Sequence, residues 1–294
     1  MRKTLGILCI LILIGTIGAF YWTTLNENSI VREVATTLKF ASTHINKSGL
    51  TINNRIQAPD GYQKTVSDSG TFGDYIINYT LKSYDAQVIN YDGNPYIYQS
   101  GHVGVLDIPV PDNGLQQCAD ALIRIRAEYL WDQNRKDEIG FKFTSGHYCS
   151  WSKYAQGYRP KINGNKVSFS KTTQPDTSKA NLYRYLNLIF TYSGTQSLFD
   201  ELPKIKTEAD LQIGDMLIYP GFPGHVMMIV AIAENPQGDR LFAFAQGNTP
   251  AQSVHIIKNI DSGLSPWYII DFDNRVNFET PIYTFSKFDF IRFK

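Results

Sequence analysis

The sequence predicts an α+β fold, and three observations carry that expectation. The apolar runs DMLIY, HVMMIVAIAE and RLFAFAQ follow one another between residues 215 and 246. They have strand length and are separated by turn residues, so they read as neighbouring strands of a buried sheet. The segment LQQCADALIRIRAEYLWDQNR sets Ala121, Leu122, Ile125, Tyr129 and Leu130 at helical spacing, which predicts an amphipathic helix over 117–134. Aromatic residues are abundant, at 18 Tyr and 17 Phe, and such rings suit pleated, half-buried strands.

The remaining elements follow in order. Arg2 and Lys3 precede an unbroken apolar run from Leu5 to Trp22. That run approaches the roughly 20 residues of a membrane helix and exceeds an ordinary signal-peptide core. It reads as a signal anchor over 1–23, with a cleaved signal peptide as the alternative. The basic residues stay inside, so the rest is expected outside the membrane, in the periplasm or beyond the cell, tethered through this segment. Residues 24–48 are polar with a short helical pattern and read as a stalk, and 49–294 as one domain with an insertion at about 140–200.

Within the domain, QVINYDGNPYIYQS predicts a hairpin around Asp92-Gly93, and HVGVLDIPV a strand over 102–110 ended by Pro109 and Pro111. IGFKFTSG reads as a strand, HYCSWSKYAQG as a short helix, and YRPKINGNKVSFSK as a hairpin turning at Asn163-Gly164. Residues 180–202 read as helix with a break near Gly194, and a turn at 235–238 joins the last two apolar runs. The tail from VHIIKN onward predicts further short strands.

Net charge is +1, and no Lys/Arg run follows the first three residues. A nucleic-acid surface is therefore not expected. Cys9 lies in the apolar run, so only Cys118 and Cys149 face the exported side. Outside the cytoplasm those two could form a disulfide, which competes with any catalytic reading.

Candidate chemistry comes from order and spacing. Cys118 opens the predicted helix, where unpaired N–H groups and the helix dipole lower a thiol's pKa. His225 stands at the mouth of an apolar strand, after Gly224, and suits proton transfer. The next strand ends in Gln246-Gly247-Asn248, and either polar side chain could hold the imidazole's other nitrogen. The Cys118 N–H together with Gln116 or Gln117 could hold an oxyanion. Cys149 is the rival nucleophile. His102 also follows glycine and opens a strand, but only sixteen residues before Cys118. His147 has no second ligand at metal spacing, His255 in VHII reads as structural, Asp120 as a first-turn helix acid, and Asp215 as a turn into its strand. No cofactor and no metal are implied.

The pieces QQC at 116–118, GDMLIY at 214–219, GHVMMIV at 224–230 and QGN at 246–248 resemble the papain-like NlpC/P60 and CHAP families of cell-wall amidases and peptidases. Two departures stand out. Gln replaces the Glu of the usual Glu-x-Asn in CHAP domains, and His225 follows Cys118 by 107 residues, a longer interval than those families show. The blocks LQQCADALIRIRAEYL, FTSG, GYRP, FTYSGTQSL, PGHVMMIV and PAQSVHIIKN with SPWY resemble a bacterial domain-of-unknown-function family, number 4846, which implies no activity.

The resemblance implies a papain-like core of antiparallel strands with a Cys-bearing helix and a large insertion. It implies a cysteine hydrolase acting on peptide or amide bonds of the cell envelope. Two alternatives remain: a non-catalytic envelope module on the same fold, and a lipid acyl hydrolase or transferase.

Overall fold

A computed structural model describes residues 42–294 apart from residue 262. The N-terminal apolar run, Cys9 and most of the predicted stalk lie outside the described residues. Among the described residues no helix is long and apolar enough to cross a membrane. Residues 42–48, read from sequence as the end of the stalk, are joined to the globular unit. The Ser42 and Ser265 hydroxyls are 2.7 Å apart, and the Asn46 N–H donates to the Arg55 carbonyl at 2.8 Å.

In chain order the elements are α1 (Ile52–Arg55), β1 (Gln63–Lys64), α2 (Phe72–Ile77), β2 (His102–Val105), α3 (Cys118–Asp132), β3 (Gly140–Lys142) and β4 (Tyr148–Ser150). Next come α4 (Trp151–Ala155), β5 (Tyr158–Asn163), β6 (Lys166–Lys171), α5 (Lys179–Tyr192) and α6 (Thr195–Glu201). Then follow β7 (Met216–Tyr219), β8 (His225–Glu234), β9 (Arg240–Gln246), β10 (His255–Ile257), β11 (Val276–Glu279), β12 (Thr284–Lys287) and β13 (Asp289–Ile291).

The frame is an antiparallel seven-stranded sheet in the order β13-β7-β8-β9-β10-β2, with β1 also on β8. The ten-residue β8 is long enough to serve two partners on one edge. β7 pairs with its first four residues and β1 with Ala233 and Glu234. Nine of its ten residues are buried, which explains a run with no polar alternation. Helix α3 packs against β8 and β9, and the β11–β12 hairpin sets Phe278 against Phe244 and Tyr268.

The insertion forms two separate ribbons, β3–β4 and β5–β6, with α4, α5 and α6 around them, and none of its strands enters the main sheet. Its effect on α3 departs from the sequence expectation. The spacing predicts a helix with one solvated face, yet every residue from Cys118 to Leu130 is buried. The insertion covers Arg124 and Glu128, and Phe72 and Phe293 cover Arg126. The Tyr183 hydroxyl on α5 donates to Glu128 at 2.8 Å, and the Arg124 guanidinium lies 5.2 Å from the Tyr183 ring while bonding Glu128 at 2.9 Å.

Three local readings also shift. Strand β2 stops at Val105, and the next residue, Leu106, bridges Leu81 while its N–H still donates to the Val254 carbonyl at 2.9 Å. The segment read as a short helix begins as β4, because Tyr148–Ser150 pair with β3, and Ser150 then caps α4 by accepting from the Lys153 N–H. At Asp92-Gly93 the turn forms, but its ladder shrinks to one Ile89–Pro95 bridge. The Asn90 N–H donates to the Asn94 carbonyl and the Tyr96 N–H to the Val88 carbonyl, both at 2.8 Å, and Asn90 also bridges Gln252.

Candidate functional site

The first residue of α3 is Cys118, and the turn before it is built for a helix start. The Gln117 N–H donates to Asp120 Oδ2 at 3.1 Å, satisfying a donor that the helix leaves unpaired. At the far side of the site, Gly224 leads into β8. A Cβ there would lie 2.2 Å from Thr195 Oγ1 and 2.7 Å from the Gly221 carbonyl oxygen. Only glycine fits between the β7–β8 turn and the start of α6, which accounts for the GH pair. Strand β9 ends at Gln246, and Gly247 lets the chain pass closely over the first turn of α3.

These three chain ends meet. The backbone N–H of Val226, the residue after His225, lies near the Cys118 sulfur and favours its thiolate. His225 Nε2 is 2.7 Å from Gln246 Oε1. Cys118, His225 and Gln246 therefore share one buried locus, although 107 residues separate the first two.

Asn248 does not join them. Continued past Ala245, the β8–β9 register would set Asn248 opposite His225, but the ladder ends first. The Asn248 side chain accepts from the Thr249 N–H at 2.8 Å, within its own turn. Gln246 reaches His225 along the diagonal of the antiparallel pair, where a long side chain can bridge.

The two glutamines before Cys118 also differ. Gln117 is exposed, and its oxygen accepts from the Thr249 hydroxyl at 3.0 Å. Gln116 is fully buried, its oxygen accepting from Arg124 at 2.7 Å, and its Nε2 donor has no partner. A buried, unspent amide N–H is the kind of group an oxyanion would use.

Electrostatics run against the sequence expectation for the thiol. Burial, and then the Asp120 carboxyl, push Cys118 up to about 12. The helix-start contribution is present, since the N–H groups of Ala119, Val226 and Cys118 itself favour the thiolate, but desolvation outweighs them. Burial lowers His225 to about 4 and raises Asp120 to about 8. The resting pair is neutral thiol and neutral imidazole. The His225 ring is covered by Tyr283 and Phe285, at 4.7 and 5.6 Å between centroids.

The rivals lie elsewhere or do other work. Cys149 is a buried free thiol in the β3–β4 ribbon, pushed up to about 12 by burial, and Cys118 is also free, so the two form no disulfide. His147 faces Ser145 at 3.1 Å. Asp215 holds a two-bond ion pair with Arg292 at 2.6 and 2.8 Å and accepts from the Gln212 N–H, which ties the start of β7 to the C-terminal strand. Among the described residues no three His, Cys, Asp or Glu side chains converge as a metal site.

Sequence reading underestimated His255. It pairs directly with Gln246 across β9–β10, and its Nε2 is 3.4 Å from Gln246 Nε2. Only the register of those strands, which a single sequence does not reveal, could have shown it.

No curated protein and no solved structure matches the chain. A family model described as a domain of unknown function (4846) matches residues 52–292, nearly all of the described fold. The chain therefore belongs to the DUF4846 family.

Proposed function

We propose that this protein is a cysteine hydrolase of papain-like design, acting on peptide or amide bonds. The observation that carries the reading is the 2.7 Å contact from His225 Nε2 to Gln246 Oε1, with the Cys118 sulfur near the Val226 N–H that follows His225. A helix-borne thiol, an imidazole on an antiparallel strand and an amide orienting that imidazole are the parts of a Cys–His nucleophile.

In the reaction, the Cys118 sulfur attacks the substrate carbonyl carbon while its proton passes to His225 Nδ1. The carbonyl oxygen becomes an oxyanion, facing the Cys118 N–H and the unspent Gln116 amide. Breaking the C–N bond releases the amine, which takes the proton from His225 and leaves a thioester on Cys118. Water, deprotonated by His225, then hydrolyses the thioester and restores the thiol. Because both groups rest neutral and buried, substrate entry must open the site, and proton transfer must accompany attack. The substrate class follows from the resemblance to cell-wall amidases and from the N-terminal apolar run, which together favour an exported, tethered enzyme working on the cell envelope.

One observation favours a second reading. Cys118 is only 6% exposed and is a poor acid at rest, as befits a non-catalytic module that retains the arrangement for packing.

Site-resolved alkylation by iodoacetamide, followed by mass spectrometry across pH 6–10, separates the two. Cys149 is an internal reference, because burial pushes its thiol to a similar value. The hydrolase reading expects Cys118 to label faster than Cys149 and to slow when His225→Ala removes the base. Equal, slow labelling of both thiols, unchanged by the substitution, would leave the non-catalytic module.

A further inference from the structure

Beyond His225 and Gln246 the hydrogen-bond chain continues, and its far end is a group that cannot change role. His255 Nδ1 is 2.9 Å from the Ser253 carbonyl oxygen. A backbone carbonyl only accepts, so Nδ1 of His255 carries a proton. That carbonyl belongs to a fixed segment, since the Ser253 N–H donates to the Ile89 carbonyl at 2.9 Å and Ser253 is buried. Burial keeps His255 neutral, lowering it to about 4, so its Nε2 is a bare acceptor.

The consequences pass along the chain. A bare Nε2 at 3.4 Å requires the NH2 end of the Gln246 amide, not the oxygen. The oxygen then faces His225, 2.7 Å from its Nε2. An amide oxygen also only accepts, so His225 Nε2 carries the proton and Nδ1 is bare. His225, Gln246 and His255 lie on one face of the sheet, Gln246 directly opposite His255 and diagonal to His225. This direction of the amide is set by the Ser253 carbonyl, two groups away from the imidazole it controls.

We propose that His255 is a positioning residue which, acting through Gln246, fixes His225 in the tautomer protonated on Nε2 and bare on Nδ1. That this tautomer serves a thiol rests on the function proposed above; the tautomer itself does not. In that mechanism the other tautomer would leave no bare Nδ1 to take the thiol's proton, which is how an orienting residue has its effect in Ser–His–Asp triads.

The test is two-bond 1H–15N correlation NMR of the full chain, labelled at histidine, near pH 7. The chain has five histidines, few enough to resolve, and His225→Ala and His255→Asn assign the two signals. His225 and His255 should show opposite tautomers, Nε2–H and Nδ1–H. His255→Phe removes the acceptor, and the His225 signals should move from a single tautomer to an average of both. His255→Gln offers a side-chain oxygen toward Gln246 and should restore the Nε2–H form. A wild-type His225 protonated on Nδ1, or a folded His255→Phe protein with His225 unchanged, would overturn the proposal. Should His255→Phe fail to fold, the wild-type pair of tautomers and the His255→Gln spectrum decide. Tautomers as expected with a Cys118 indifferent to His225→Ala would retain the relay and reject the hydrolase.

Discussion

A Cβ on Gly247 would lie 3.0 Å from the Cβ of Ala121 and 3.5 Å from the Cα of Cys118. The end of β9 and the first turn of α3 touch there with no room for a methyl group. Gly247→Ala must push the two apart by a few tenths of an ångström, because the other close atom is the Gln117 backbone oxygen, at 3.0 Å. Overpacking of this kind costs about 1–3 kcal/mol. Urea unfolding should show that loss, and alkylation of Cys118 should speed up as the helix start lifts from Gln246. Unchanged stability and unchanged labelling would mean that the contact relaxes freely.

Gln246 and Asn248 are two residues apart and look interchangeable in sequence, but their contacts predict different losses. Gln246→Leu leaves the proton on His225 Nε2 and the lone pair of His255 buried without partners, which should cost about 2 kcal/mol or more. Asn248→Ala breaks one bond within a partly exposed turn and should cost under about 1 kcal/mol. Thermal or chemical melts of both variants check this. A larger loss for Asn248→Ala would reverse the assignment of the orienting residue.

What could be read from sequence divides along physical lines. The β5–β6 hairpin forms where the sequence reads one, with its turn at Gly164-Asn165 rather than Asn163-Gly164, and the helix break falls at Ser193-Gly194, because turn chemistry and helix ends are set by neighbouring residues. That the start of α3, the start of β8 and the end of β9 come together was legible from order along the chain. The choice between Gln246 and Asn248 was not, because it depends on where the ladder stops. The state of the thiol was not legible either. A first turn favours the thiolate, but the covering that defeats it comes from elements distant in sequence. The link from His255 to Gln246, and the way the predicted insertion closes over α3, were missed for the same reason.

Arg292 tests what holds the GD turn at 214–215 in place. The Asp215 carboxyl is 1% exposed and held by the Arg292 fork. Burial raises its pKa, with Arg292 and the Gln212 N–H opposing. Arg292→Met should therefore cost about 3 kcal/mol near neutral pH, by leaving that carboxylate buried and unpaired. Without the guanidinium, burial acts on the carboxyl with less opposition and raises its pKa further. The penalty should then shrink as pH falls toward the ordinary carboxylate range, where the lone group takes a proton. A penalty that stays constant with pH would show that Arg292 acts through packing alone.

Asp120 gives the sharpest pH signature. Its carboxyl sits at about 8, against an ordinary 3.8, because it is buried beside Cys118 with one oxygen unpartnered. Between those values the folded protein keeps a proton that the unfolded chain has released. The associated stability is complete below about pH 4 and is lost as pH rises through about 8, at no more than about 1.4 kcal/mol per pH unit. Burial acts on His225 and His255 in the other sense. Their folded values near 4 lie below the ordinary 6.5, so their contribution is complete above pH 6.5 and is lost as pH falls toward 4. Asp120→Asn preserves an acceptor for the Gln117 N–H and removes the carboxyl proton. Denaturation across pH 4–9 should then show a variant that gains on the wild type as pH rises, and most above pH 8. Its Cys118 should also alkylate faster there, since the ionised Asp120 that holds the thiol up is gone. Parallel stability curves for the two proteins would mean that Asp120 is already ionised in the folded state across this range, and unchanged labelling of Cys118 that burial alone holds the thiol up.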